Sequence, residues 1–256
     1  MNFLALIPAR YASTRFPGKP LALLAGKPII QHVYERVSTV FENAYVVTDD
    51  ERIEACVNTF GGRCVMTGTH HKSGTDRCFE ALEKLGAGFD VVVNVQGDEP
   101  FIQPDQIQAL MDCFPTEIAT LVHPFTEKDS WSDLANPNYV KVAIARENSD
   151  PNATTIGRAL YFSRSVIPYL RGIEQEEWLK QGQHFRHIGM YAYRADILQK
   201  ITQIPPAPLE KVESLEQLRW LQAGYRIKVG TTDVETIGID TPEDLERAKN
   251  FLEQQV

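Results

Sequence analysis

The chain has 256 residues, with 26 Lys and Arg against 34 Asp and Glu, for a formal net charge of −8. That length allows one large α/β domain, or two small ones, with a well-buried core. An acidic surface argues against general binding to nucleic acid or anionic membranes, while 43% hydrophobic and 23% charged residues are ordinary for a soluble globular chain.

Taken in chain order, apolar runs alternate with segments of helical period. Residues 3–8 read as a buried strand that opens into a loop carrying Arg10, Arg15 and Lys19. This first apolar run is too short for a signal peptide, and no later run reaches the roughly 20 residues of a membrane span, so a cytoplasmic location is expected. A helix is predicted over 28–40, with Ile29, Ile30, Val33, Val37 and Val40 on one stripe. A strand over 44–48, a helix over 51–60, a strand over 63–67 and a helix over 74–85 follow. Residues 90–95 are the clearest buried strand, and Pro104 starts another helix. This alternation implies a mostly parallel sheet flanked by helices, with ligands beyond the carboxyl ends of the strands.

From about residue 118 strands dominate, over 118–123, 139–146, 156–162 and 186–193. They read as an antiparallel or mixed insertion, with 171–184 a mobile polar excursion. A helix over 209–223, a strand over 225–230 and a helix over 241–254 complete the chain. Thr241 is the expected N-cap of that last helix and Asp244 its acidic partner. The expected organisation is a single domain over 1–256. Residues 1–117 and about 205–256 form its nucleotide- and metal-binding core, and about 118–204 a smaller mixed α+β subdomain. Cys56, Cys64, Cys78 and Cys113 form no Cys-x-x-Cys pair and, with six scattered histidines, no zinc pattern; they read as free thiols in a reducing compartment.

Five stretches can carry chemistry. Arg10, Arg15 and Lys19 can surround a triphosphate, because arginine forks match phosphate oxygens and lysine adds a point charge. Three solvated surface cations are the equal alternative, and the loop is neither a Walker nor a dinucleotide motif. Asp98, at the end of the strand over 90–95, is placed to hold Mg²⁺, though Gly97-Asp98-Glu99-Pro100 is also good turn chemistry. Asp240 is either a second ligand or an electrostatic partner of a helix N-terminus. In the strand 186–193, His187, Gly189, Tyr191 and Tyr193 share one face and Ile188, Met190 and Ala192 the other, which suits a sugar or an ordinary half-buried strand. In the helix 209–223, Leu209, Val212, Leu215 and Leu218 form the expected core stripe. Glu213, Glu216, Gln217 and Trp220 form its neighbour, by default a solvated face. His70 and His71 read as surface or site-edge residues, and Lys141 as solvent-facing.

The order of motifs carries a resemblance. Ile-Pro-Ala-Arg-Tyr-Ala-Ser-Thr-Arg-Phe-Pro-Gly-Lys-Pro, Asn-Val-Gln-Gly-Asp-Glu-Pro, Ala-Leu-Tyr-Phe-Ser-Arg, His-Ile-Gly-Met-Tyr-Ala-Tyr-Arg, Leu-Glu-Gln-Leu-Arg and Gly-Ile-Asp-Thr-Pro-Glu-Asp-Leu occur as in the 3-deoxy-manno-octulosonate cytidylyltransferases, or CMP-Kdo synthetases. The resemblance spans residues 3 to about 250. The first motif alone marks a broader sugar-nucleotidyltransferase class, and the combination is more specific.

The resemblance implies a Rossmann-like, GT-A-like nucleotidyltransferase fold and a Mg²⁺-dependent homodimer. The implied reaction converts CTP and Kdo to CMP-Kdo and pyrophosphate, for lipopolysaccharide synthesis. It implies that Arg10, Arg15 and Lys19 hold the phosphates, with Lys19, Arg10 and Asp98 catalytic. Ala9, Ser73, Gly74 and Thr75 would border the cytosine, and Asp98 and Asp240 would bind the metal. Arg77, Gln96, Arg164, His187, Tyr191, Glu216 and Gln217 would line the sugar pocket. A related acidic sugar, 8-amino-Kdo or sialic acid, is the alternative substrate.

Overall fold

The computed structural model describes residues 1–12, 14–147, 155–234 and 238–253. Ser13, Ile237 and the last residue of the predicted closing helix lie outside these. The chain forms two compact units, Met1–Gln108 with Thr236–Val256, and Ala109–Glu235.

The first unit holds four parallel strands in the order Cys64–Met66, Ala44–Thr48, Phe3–Pro8, Val91–Asn94. Leu4 to Ile7 and Val91 to Val93 are wholly buried, as expected of strands covered on both faces. Parallel neighbours need crossovers, which the helices Ile29–Ser38, Glu51–Thr59 and Gly74–Leu85 supply. The first buries Ile29, Ile30, Val33 and Val37 of the predicted stripe, while Val40 falls beyond its end and is only half-buried. Asp50 and Ser73 cap the other two by accepting the backbone N–H groups of Arg52 and Asp76. A fourth helix-period segment forms as Pro104–Met111.

The closing helix, Pro242–Glu253, starts as predicted. Asp244 N–H donates to Thr241 Oγ1 at 3.2 Å, and Thr241 N–H donates to Asp244 Oδ2 at 3.0 Å. Ile239, Leu245 and Ala248 pack into one core with Leu24, Ile29 and Phe101. The Ile239 N–H donates to the Asp98 carbonyl at 2.9 Å. That core and that bond bring the far end of the chain to the end of the strand Val91–Asn94.

The second unit is mixed, as expected of the insertion. Its strands run in the order Phe185–Arg194, Ile118–Pro124, Ile227–Thr231, Thr155–Ser163, Lys141–Arg146. Among the described residues of this unit, only Ile118–Pro124 with Ile227–Thr231 is a parallel pair. The two ends of that order also meet, with Arg186 opposite Lys141. Because Ile227–Thr231 pairs inside this sheet, it belongs to the second unit and not to the core segment expected to begin at about 205.

Three expectations are corrected here. The helix 209–223 is two helices, Pro208–Glu213 and Gln217–Gln222, broken at Ser214, whose φ of 53° is left-handed. The break shifts the helical phase, so Leu209 and Val212 are exposed while Leu215, Leu218 and Trp220 are buried. The polar excursion 171–184 contains a 3₁₀ helix, Gln175–Gln181, anchored by buried Trp178, which stacks on His184. Lys141 does not face solvent: Ser163 and Arg186 flank it on either side, and it is fully buried.

Candidate active site

A cavity of about 360 Å³ in the first unit is lined by Ala9, Arg10, Arg15, Lys19, Gly74, Gln96, Asp98 and Asp240, among others. Two glycines shape it. Gly18 adopts φ 72°, in the left-handed region that glycine enters freely, and its N–H closes the first loop onto the Tyr11 carbonyl at 2.9 Å. A Cβ on Gly97 would fall 2.7 Å from the Pro8 carbonyl oxygen, so only glycine lets the segment 96–98 cross the end of the first strand this closely.

The Lys19 ammonium lies 2.5 Å from Asp98 Oδ2 and 3.1 Å from Asp240 Oδ1. Arg15 Nη2 lies 3.1 Å from Asp240 Oδ2. Two carboxylates and two cations therefore balance. The Lys19 side chain is 11% exposed and that of Arg15 is 60% exposed, so the lysine forms the floor of the arrangement and the arginine its rim. The ammonium marks a point on which two hard oxygen donors converge. That donor set fits Mg²⁺, which takes oxygen ligands and completes its shell from phosphates and water.

The remaining predicted groups separate by position. Ala9 and Gly74 line the cavity. Ser73 Oγ is engaged as a helix cap, and Thr75 is buried. Arg77 is fully buried and is not part of the cavity lining. Its Nη1 donates to Thr67 Oγ1, and its Nη2 lies 3.0 Å from Asp49 Oδ2.

In the second unit His187 and Tyr191 join an aromatic cluster. His187 packs edge-on to Phe162 and beside Tyr191, and Tyr191 meets Trp220 edge-on. A bulge between Ile188 and Tyr191 interrupts the strand's alternation, and both of its faces are largely buried. Thr120 Oγ1 donates to the Met190 carbonyl at 2.9 Å and lies 3.0 Å from His187 Nε2. With the hydroxyl proton so committed, His187 donates from Nε2. Burial pushes this imidazole down to about 3, so it is neutral at physiological pH. Burial, with Tyr193 and the Glu216 carboxylate nearby, pushes the Tyr191 phenol well up. Gln217 is buried at the first turn of its helix.

Arg164 sits against a different neighbour. It donates from Nε to the Glu213 carbonyl at 2.7 Å and from Nη1 to the Pro137 carbonyl at 2.9 Å. Glu213 accepts from Ser163 Oγ and the Arg164 N–H. Lys141 donates to the Asn136 carbonyl at 2.9 Å. Burial and the Arg164 charge, opposed by Glu213, lower its ammonium to about 8. Sequence reasoning missed the roles of Thr120 and Lys141; a lysine and a threonine inside apolar strand runs were the available signals.

A larger cavity of about 540 Å³ in the second unit is lined by residues including Cys113, Glu147, Arg158, Arg226 and Lys228. Its charges are partly spent on each other, with Lys228 at 2.9 Å and Arg158 at 3.4 Å from Glu147. None of the predicted site residues lines it.

A cytidylyltransferase family model matches residues 4–228. The 3-deoxy-manno-octulosonate cytidylyltransferases of Phocaeicola vulgatus and Bacteroides thetaiotaomicron are each 58% identical over 258 residues. The first match covers 100% of this chain and 99% of the relative, the second 100% of both. A solved CMP:2-keto-3-deoxy-manno-octonic acid synthetase complexed with CTP is 39% identical over 100% of both chains, with a TM-score of 0.85. A 4-diphosphocytidyl-2C-methyl-D-erythritol synthase from Anaerococcus prevotii shares the fold alone, with 14% identity, 98% and 99% coverage and a TM-score of 0.59. The chain belongs to the cytidylyltransferase family, and its fold is the mixed α/β nucleotidyltransferase fold. Among the described residues no helix is long and apolar enough to cross a membrane.

Proposed function

We propose that this cytidylyltransferase transfers CMP from CTP to 3-deoxy-manno-octulosonate, giving CMP-Kdo and pyrophosphate. The convergence of Asp98 and Asp240 on one cation position, in a cavity that the cationic first loop also lines, carries the chemistry. The shared name of relatives 58% identical across the whole chain supports the sugar. The CTP complex of the structural neighbour supports the nucleotide.

The anomeric 2-hydroxyl oxygen attacks the α-phosphorus as the bond to the pyrophosphate oxygen breaks, and the hydroxyl proton passes to water. Arg10 and Arg15 match phosphate oxygens, and Lys19 offers its ammonium to the same growing charge. Asp98 and Asp240 would hold magnesium, which when bound polarises a phosphate oxygen and acidifies the attacking hydroxyl. Ala9 and the Ser73–Thr75 turn border the cytosine.

For the sugar, the first unit offers Gln96, and the second offers Arg164, neutral His187, Tyr191, Glu216 and Gln217. Arg77, spent on Asp49 and Thr67, acts by holding the strand ends behind the site. The product serves lipopolysaccharide synthesis in the cytoplasm. The enzyme works as a homodimer, for which exposed Leu160, Tyr169 and Val212 provide apolar surface.

The test is pyrophosphate release from CTP with Kdo, 8-amino-Kdo and sialic acid, each with and without Mg²⁺. Release with Kdo that requires Mg²⁺ is expected. Preference for either other sugar, or no release with any, would overturn the assignment.

A further inference from the structure

We propose that His70, His71 and Glu80 form a second cation site, one for a zinc-class divalent ion, at the loop leading into the helix Gly74–Leu85. Their ligand atoms all lie within 4.8 Å of one another. The two imidazole rings are 4.2 Å apart, and His71 Nε2 is hydrogen-bonded to Glu80 Oε2. The site shares no residue with the cavity that holds Asp98 and Asp240, and it does not depend on the function proposed above.

The surroundings prepare these groups. The Gly68 N–H donates to both Glu80 oxygens, at 3.1 and 3.0 Å, and fixes the carboxylate. A Cβ on Gly68 would fall 2.5 Å from His70 Cε1 and Nδ1, so glycine here is what lets the His70 ring fold back toward the other two. Lys84 does not exhaust the carboxylate. Its ammonium lies 2.8 Å from Oε1, while the histidine pairs with Oε2. One oxygen therefore answers the lysine and the other faces the imidazoles.

Ligand chemistry selects the ion. Two imidazoles and one carboxylate oxygen form a donor set that zinc accepts with water in the fourth position. Mg²⁺ prefers oxygen alone. The Asp98–Asp240 pair offers only oxygens, so hardness separates the two sites. An ion held here would fasten the loop before Ser73 to the helix that Ser73 caps, and would stabilise the native protein by mass action.

The test uses the full chain, stripped of metal and dialysed against Zn²⁺ with Mg²⁺ in large excess, followed by metal analysis. One zinc per chain that Mg²⁺ does not displace is expected. His70 is exposed, so His70→Ala should fold normally, and Glu80→Gln keeps an acceptor for Gly68. Circular dichroism checks both. Each should bind zinc about tenfold or more weakly, since even partners of metal ligands cost 10–100-fold. Asp98→Asn should bind it as the wild type does. Failure to retain zinc, undiminished retention in His70→Ala and Glu80→Gln, or loss in Asp98→Asn would each overturn the site.

Discussion

Replacing Lys141 with methionine tests the buried ammonium of the second unit. Its pKa falls from 10.5 to about 8, chiefly through burial, then through the Arg164 charge, with Glu213 opposing. About 2.5 units at roughly 1.4 kcal/mol each is about 3 kcal/mol against the charged form in the folded state. Between pH 8 and 10.5 the unfolded chain binds more protons at this residue than the native one, so the lysine's contribution to stability rises with pH there. Below pH 8 both states are protonated and the penalty is complete; above 10.5 it is gone. Lys141→Met removes the penalty but leaves the Asn136 carbonyl without its donor, a cost of about 1–3 kcal/mol that does not depend on pH. The variant should therefore be no less stable than the wild type, within about 1 kcal/mol, at pH 7. It should be less stable by about 1–3 kcal/mol at pH 11. Urea unfolding of both proteins at each pH gives the difference, and taking the difference cancels the other groups that titrate in this range. A change of less than about 1 kcal/mol between the two pH values would refute the reasoning.

Asp98→Asn should lower turnover by more than about 100-fold, because losing a ligand costs at least as much as losing its supporting partner. Its melting profile should stay close to the wild type's, and wild-type-like pyrophosphate release would end the metal role. Lys19→Ala removes one preorganised cation and should cost on the order of 10²–10³ in kcat; steady-state kinetics with an unchanged kcat would remove Lys19 from catalysis. Gly97→Ala drives a Cβ toward the Pro8 carbonyl and should destabilise by about 1–3 kcal/mol. A denaturation midpoint equal to the wild type's would show that the close approach is not needed.

The parallel core was legible because Phe3–Pro8 and Val91–Asn94 are covered on both faces and so appear as unbroken apolar runs. Where a rule depends on continuity, one residue defeats it. Ser214 enters the left-handed region, and the stripe that ran through Leu209 and Val212 points to solvent. Lys141 read as a solvent-facing strand lysine, yet its side chain is fully buried and its ammonium is held by the Asn136 carbonyl, which nothing local in the sequence announces. The bulge after Ile188 had one sequence signal, Gly189 inside the strand, since glycine there often marks a bulge, and His187 and Tyr191 still meet across it. His70 and His71 read only as surface or site-edge residues, and their grouping with Glu80 had no Cys or His spacing to mark it; the helix from Gly74 brings Glu80 back to the loop.

The candidate site depends most on what sequence could not supply. Lys19 and Asp240 are 221 positions apart, and nothing local in either segment requires them to meet. They meet because Ile239, Leu245 and Ala248 are drawn into the core around Leu24, Ile29 and Phe101, while the Ile239 N–H takes the Asp98 carbonyl. Burial of apolar groups on both flanks thus sets the spacing of two carboxylates that would otherwise repel. A cation must then lie between them, and in this arrangement it is the lysine's. Isolated, the first loop is a set of cations suited to any phosphate. Joined to Asp98 and Asp240, its three cations meet two carboxylates, and the set keeps a single positive charge before a ligand arrives. A triphosphate brought in alone would far outweigh that one positive charge, whereas a triphosphate accompanied by a divalent cation brings much less negative charge. The electrostatics of the site therefore favour the nucleotide as its metal complex over the bare triphosphate.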